Sequence, residues 1–228
     1  FYDDRGCELF DAITRLPEYY PTERERTILE HEAVGIAELT DADTVIELGS
    51  GTSDKTRVLL DAVHAAGTLD RFVAFDVNEA TVRVAADSLV ARYAGLQVHA
   101  VVGDFERHLH HLPGGTRRLV VFLGSTIGNF APAARARFLA ELAAGLSPGD
   151  WFLLGTDLVK DVERLEQAYD DASGVTADFN RNVLHVVNRE LGADFPVSDY
   201  DHVARFDAEA EWIEMALRAR TDHRVRID

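Results

Sequence analysis

Cysteine is nearly absent from this chain of 228 residues: Cys7 stands alone, which excludes an internal disulfide and suits a reducing compartment. Positive charge is scarce as well. Against 40 Asp and Glu there are 23 Lys and Arg, a formal net charge of −17, and no Lys/Arg block interrupts the balance. Such a surface repels phosphate backbones and anionic lipid, so neither nucleic acid nor a membrane is an expected partner, whereas a small or cationic ligand is compatible. No apolar run reaches the roughly eighteen residues of a membrane span, and no basic-then-apolar leader opens the chain, so the expected compartment is cytoplasmic. Internal repeats and low-complexity linkers are missing too. Methionine is limited to Met215, the chain opens on Phe1, and residues 221–228 alternate in strand fashion without a cap; the expectation is a piece of a longer protein.

What is present is 46% hydrophobic and ordered in alternation. Behind Pro21, Thr22 and Glu25 stand in capping-box spacing, and Ile28, Leu29, Ala33, Ile36, Ala37 and Leu39 recur at helical intervals. Strands are then expected over 44–48, 72–75, 98–102, 119–123 and 151–154, with helices between them over 53–66, 78–93 and 132–146, Asn78 being the N-cap of the second. Strict alternation predicts an α/β fold with a doubly wound parallel sheet. After Lys160 the alternation lapses into a helical stretch over 161–190 with a break near Gly174, then a strand pair near 202–206 and 212–220. The expected organisation is an N-terminal helical segment contributing to the active site (1–40), a cofactor-binding Rossmann-like domain (41–160) and an added α+β substrate-binding region (161–228).

The sharpest local signal is Val45-Ile46-Glu47-Leu48-Gly49-Ser50-Gly51-Thr52-Ser53, an apolar strand running into a Gly-x-Gly turn and a helix. Glycine there lets a ligand approach the backbone closely. A nicotinamide-binding loop wants a third glycine at the helix start, but Asp54 stands there and would face a pyrophosphate unfavourably. An S-adenosyl cofactor has no pyrophosphate and carries a sulfonium cation, which suits Glu47 and Asp54. Taken alone the turn is equally an ordinary strand-to-helix connection. Asp76 closes the second strand, where a ribose diol is held in such folds, and Asp104 with Phe105 follows the third, placed for an adenine amine and ring. Each aspartate taken singly is also a plausible helix cap; three such features at consecutive strand ends favour a cofactor site.

The fourth strand runs into Gly124-Ser125-Thr126-Ile127-Gly128-Asn129-Phe130, small and polar residues beside the switch point of the sheet. Asn129 offers a donor and an acceptor without charge, which holds an amino group while leaving its lone pair free. The bland reading is a glycine-bracketed turn with a self-bonded Asn. Other candidates fare worse. Arg107-His108-Leu109-His110-His111 reads as a solvated loop rather than a metal site, Ser125 lacks the elbow of a hydrolase nucleophile, and Asp170-Asp171 reads as a solvated helix face.

These residues resemble the ergothioneine-pathway L-histidine Nα-methyltransferases, whose fold is the class I methyltransferase fold. The likeness runs along essentially the whole chain. Its carriers are Pro17-Glu18-Tyr19-Tyr20-Pro21-Thr22, 47–53, Phe122-Leu123-Gly124-Ser125-Thr126-Ile127-Gly128-Asn129, Gly155-Thr156-Asp157-Leu158-Val159-Lys160 and Phe179-Asn180-Arg181-Asn182. The resemblance implies three methyl transfers from S-adenosyl-L-methionine to the α-amine of free L-histidine, leaving S-adenosyl-L-homocysteine; no metal is expected and no protein partner is implied. It implies a cofactor site on Gly49, Lys55, Asp76, Asp104 and Phe105, to which the turn reading adds Ser50 and Gly51, with Lys55 pairing with the cofactor carboxylate and Tyr2 near the reacting amine. For the substrate it implies Asn129 and Tyr169 at the histidine carboxylate, Gly124 and Thr126 near the amine, Tyr19 at the imidazole and Phe10 as an apolar wall. A Glu and a Ser that grip the imidazole in the family fall beyond the end of this chain. Two alternatives stay open: a relative acting on an indole amino acid such as a prenylated tryptophan, and a fragment that binds the cofactor without turnover.

Overall fold

The computed structural model describes residues 3–227 apart from Thr52 and Asp54. Helix α1 (Asp4–Ile13) is capped by Asp3, whose carboxylate accepts from the Gly6 N–H at 2.9 Å, and α2 (Pro21–Thr40) follows. Strands and helices then alternate: β1 (Thr44–Leu48), α3 (Thr56–Ala65), β2 (Arg71–Asp76), α4 (Glu79–Arg92), β3 (Gln97–Val102), a short α5 (Phe105–His108), β4 (Arg118–Phe122), α6 (Pro132–Gly145) and β5 (Trp151–Leu154). All five strands pair in parallel in the order β3-β2-β1-β4-β5, the doubly wound Rossmann-like arrangement that the alternation predicts. The chain continues as α7 (Val162–Tyr169), α8 (Val175–Glu190) and an antiparallel pair, β6 (Tyr200–Asp207) with β7 (Trp212–Ala219). Gly174, with φ +76°, marks the expected break between α7 and α8.

Two compact units result, Glu23–Asp157 and, separately, Phe1–Thr22 with Leu158–Asp228. In the first, β1 and β4 are buried along their whole length because helices cover both faces. One face gathers Val45, Phe72, Ala74, Leu119 and Val121 with residues of α2, α3 and α4; the other gathers Ile46, Leu48, Val73, Phe75, Val120 and Phe122 with Phe130, Phe138 and Leu142. Apolar runs that look continuous in sequence thus divide, residue by residue, between two cores. The other unit has its own smaller core around Leu9, Ile13, Tyr19, Ala168 and Phe179.

Three local expectations are corrected. Glu25 does not close a capping box at the start of α2; its carboxylate is taken by Lys55 and by the N–H of Gly124. Helix α3 starts at Thr56 rather than at residue 53, because Ser53 is left-handed and its hydroxyl is committed to Glu47. Asp171 is buried, not a solvated face residue: it accepts from the N–H groups of Val175 and Thr176 at 3.0 and 2.7 Å and so caps α8. Among the described residues no helix is long and apolar enough to cross a membrane, and no cluster of His, Cys, Asp and Glu is placed to hold a metal ion.

Candidate functional site

The loop after β1 adopts backbone that only glycine takes readily, with φ +70° at Gly49 and +49° at Gly51. Gly49 and Ser50 donate their N–H groups to the Phe75 carbonyl at 2.8 and 3.2 Å, and Gly51 donates to Asp76 Oδ2 at 2.9 Å. The loop is thereby folded over the end of β2. The other oxygen of Asp76 accepts from Asn78 N–H at 3.1 Å, but Asn78 is the residue that caps α4, accepting from Thr81. Asp76 is therefore no helix cap, and a carboxylate with about four acceptor positions keeps capacity for hydroxyl donors. Asp104 differs. It does cap α5, accepting from the Glu106 N–H at 2.9 Å, and Phe105 beside it packs edge-on against Phe122 at 5.3 Å.

Two features of this loop call for a ligand or explain its shape. The Ser50 hydroxyl is buried with no hydrogen-bond partner among the described residues, a state that costs about 1–3 kcal/mol unless something else satisfies it. Beneath the loop lies Glu47, fully buried on a core face of β1 and accepting from the hydroxyls of Ser53, at 2.7 Å, and Thr56. Burial pushes its pKa up to about 7, and the two hydroxyls and nearby Lys55 offset only part of that rise. An adenosyl group fits the set: glycine backbone for close approach, Asp76 for a diol, an unsatisfied hydroxyl and the face of Phe105.

The loop after β4 is left-handed at Gly124 and Ser125 and then closes as a 3₁₀ turn, Thr126–Asn129. The Gly124 N–H donates to both oxygens of Glu25, at 2.8 and 3.0 Å, and the same carboxylate pairs with the Lys55 ammonium. A side chain at Gly155 would collide with that carboxylate. Thr126 donates its hydroxyl back to Leu123 O at 2.9 Å, while Asn129, at the end of the turn, is exposed. Glu25 is the residue that sequence reasoning missed as part of the site. Its partners lie 30 and 99 residues away, so only its place in the first turns of α2 gave any signal.

In the other unit, Tyr19 packs edge-on against Tyr169 at 5.7 Å and against Phe10 at 6.5 Å, and Phe10 reaches Phe179 at 6.0 Å. The structure thus collects Gly49, Ser50, Gly51, Lys55, Asp76, Asp104, Phe105, Gly124, Thr126 and Asn129 at the carboxyl ends of one sheet. It collects Phe10, Tyr19 and Tyr169 in one aromatic core. Tyr2, Thr52 and Asp54 lie outside the described residues.

Residues 1–228 match the family described as histidine-specific methyltransferase, SAM-dependent. The chain is 59% identical over 227 residues to the histidine N-alpha-methyltransferase of Mycolicibacterium smegmatis, covering 100% of this chain and 71% of that one. It is 57% identical to the protein of the same name from Mycobacterium tuberculosis, with the same coverage. To the ergothioneine biosynthesis protein 1 of Schizosaccharomyces pombe it is 35% identical over 233 residues, covering 97% of this chain and 30% of that protein.

Proposed function

Because the chain belongs to the family of histidine-specific, S-adenosylmethionine-dependent methyltransferases, we propose that it methylates the α-amine of free L-histidine three times, giving Nα,Nα,Nα-trimethylhistidine for ergothioneine synthesis. The observation that carries this is identity of 57–59% along the whole chain to two proteins that bear the histidine N-alpha-methyltransferase name. S-adenosylmethionine, when bound, would supply a methyl carbon whose bond to the sulfonium sulfur breaks as the neutral amine bonds to it in line, with S-adenosylhomocysteine leaving and the new ammonium giving up a proton to water before the next transfer.

The work of this chain's residues is then binding and orientation. Gly49 and Gly51 admit the ligand to the backbone, Ser50 gains a partner for its buried hydroxyl, Asp76 accepts from the ribose hydroxyls, and Asp104 with Phe105 holds the adenine. Lys55, held by Glu25, faces the cofactor carboxylate. Asn129 and Tyr169 bind the histidine carboxylate, Gly124 and Thr126 border the amine, Tyr19 meets the imidazole, Phe10 forms the apolar wall, and Tyr2 takes part at the reacting amine. A protonated amine has no lone pair to attack with, so an uncharged neighbour such as Asn129 favours the reactive form. Holding the two reactants in line supplies the main acceleration, effective molarities for such alignment being about 10⁵–10⁸ M.

The test is mass spectrometry of the products formed from S-adenosylmethionine and a mixture of free amino acids that includes histidine and tryptophan. Trimethylhistidine is the expected dominant product. A methylated tryptophan, or cofactor binding with no methylated amine, overturns the reading.

A further inference from the structure

Three of the four side chains of Phe179-Asn180-Arg181-Asn182 on α8 are buried, and together the four reach α1 and its cap, β6 and β7. Phe179 packs on Phe10. Asn182 donates to Asp3 at 2.7 Å, the aspartate that caps α1, and Arg181 donates to the Tyr200 carbonyl at 3.1 Å where β6 begins. Asn180 donates to the Ala216 carbonyl of β7 at 3.0 Å and meets His202 Nδ1 at 3.0 Å.

That last pair determines a proton. A carbonyl only accepts, so the end of the Asn180 amide that faces Ala216 is its NH₂, and the same nitrogen faces His202 Nδ1. Nδ1 must then be bare, which puts the ring proton on Nε2. Nε2 lies 2.7 Å from the carbonyl of Tyr169, the last residue of α7. Carbonyls in the last turn of a helix have no partner within it, and the His202 N–H donates to this one. The imidazole is almost fully enclosed, its side chain 2% exposed, and Asp170 Oδ1 stands 4.0 Å from Nε2. The residue whose carbonyl His202 meets also carries the ring that stands edge-on to Tyr19.

We infer that His202, held as the Nε2–H tautomer by Asn180, is a positioning residue that sets Tyr169 against Tyr19 and so shapes the histidine-binding wall. The inference rests on the reading of Tyr169 and Tyr19 as substrate residues made above.

The experiment compares His202→Gln, whose amide can still donate toward the Tyr169 carbonyl, with His202→Leu, which fills the space without a donor. In His202→Leu, KM for histidine rises about tenfold with the S-adenosylmethionine Kd within about twofold of the parent, and His202→Gln recovers most of the loss. Long-range ¹H–¹⁵N spectra of the parent chain, with the His202 signal identified by its absence in His202→Gln, show a neutral ring protonated at Nε2. An unchanged histidine KM in His202→Leu, a cofactor Kd that moves in step with KM, or a ring protonated at Nδ1 overturns the inference. If His202→Leu does not fold, the tautomer of the parent and the KM of His202→Gln decide it. A parent chain that does not methylate histidine instead overturns the functional reading, which separates the two failures.

Discussion

At the amino ends of β4 and β5, Asp150 is a half-buried residue whose side chain is covered by its partners; at the carboxyl half of β1, Glu47 is buried within the sheet itself. Asp150 accepts from the backbone N–H groups of Arg118 and Ser147 and from two guanidinium nitrogens of Arg118, at 2.6–3.1 Å, and Arg118 also donates to the Gly145 carbonyl at 2.7 Å. Burial alone would raise its pKa, but these donors outweigh it and hold the carboxyl below its ordinary value. Glu47 has two hydroxyls and a more distant lysine, and burial wins. One end of the sheet is electrostatically complete; the other keeps an uncomfortable carboxyl beneath a left-handed loop whose Ser50 hydroxyl has no partner among the described residues. Strain of that kind is retained where a ligand or a reaction needs it.

Three measurements sharpen or break the contrast. Replacing Asp150 with Ala leaves a buried guanidinium without its counter-charge and should cost about 3–5 kcal/mol in denaturant unfolding, with the cofactor Kd unchanged. A loss of cofactor affinity at equal stability would show that the amino end is not merely structural. Glu47→Gln should act in the opposite direction. The folded state holds the Glu47 proton up to about pH 7, whereas the unfolded chain releases it near 4.5, so the favourable contribution is full below 4.5 and vanishes as pH rises through 7. The parent should therefore lose up to about 3 kcal/mol across that interval relative to the variant, read from unfolding curves at several pH values. Parallel pH profiles for the two proteins would break the comparison. Smallest is Asp76→Asn, which should weaken S-adenosylmethionine binding by about tenfold to a hundredfold in calorimetric titration while melting shifts little. Unchanged affinity would remove the ribose role from Asp76.

Much of the carboxyl end was legible before any coordinates. The Gly49-Ser50-Gly51 turn, Asp76 and Asp104 each follow a strand recognisable from its β-branched run, and glycine at φ near +60° is a local demand that leaves a local trace. Asn78 as the cap of α4 was readable for the same reason. Asp104 proved to be a cap as well as a site candidate, and Asp76 proved not to be one, a distinction that depends on which N–H groups the fold brings within reach. Glu25 and Asp171 were misplaced because their residue types and spacing fit a capping box and a solvated face equally well.

Strand and helix alternation, the doubly wound order it implies, the glycine turns and the family likeness belong to the sequence itself, since each depends on residues near one another along the chain. Partner choice does not. Whether Glu25 caps a helix or holds Lys55 and Gly124, whether Glu47 is a surface acid or a buried one near neutrality, and which tautomer His202 carries were decided only by the tertiary structure. The free energy of a charged or hydrogen-bonding group is set by what lies within a few ångströms of it in space and by how much water the fold leaves there.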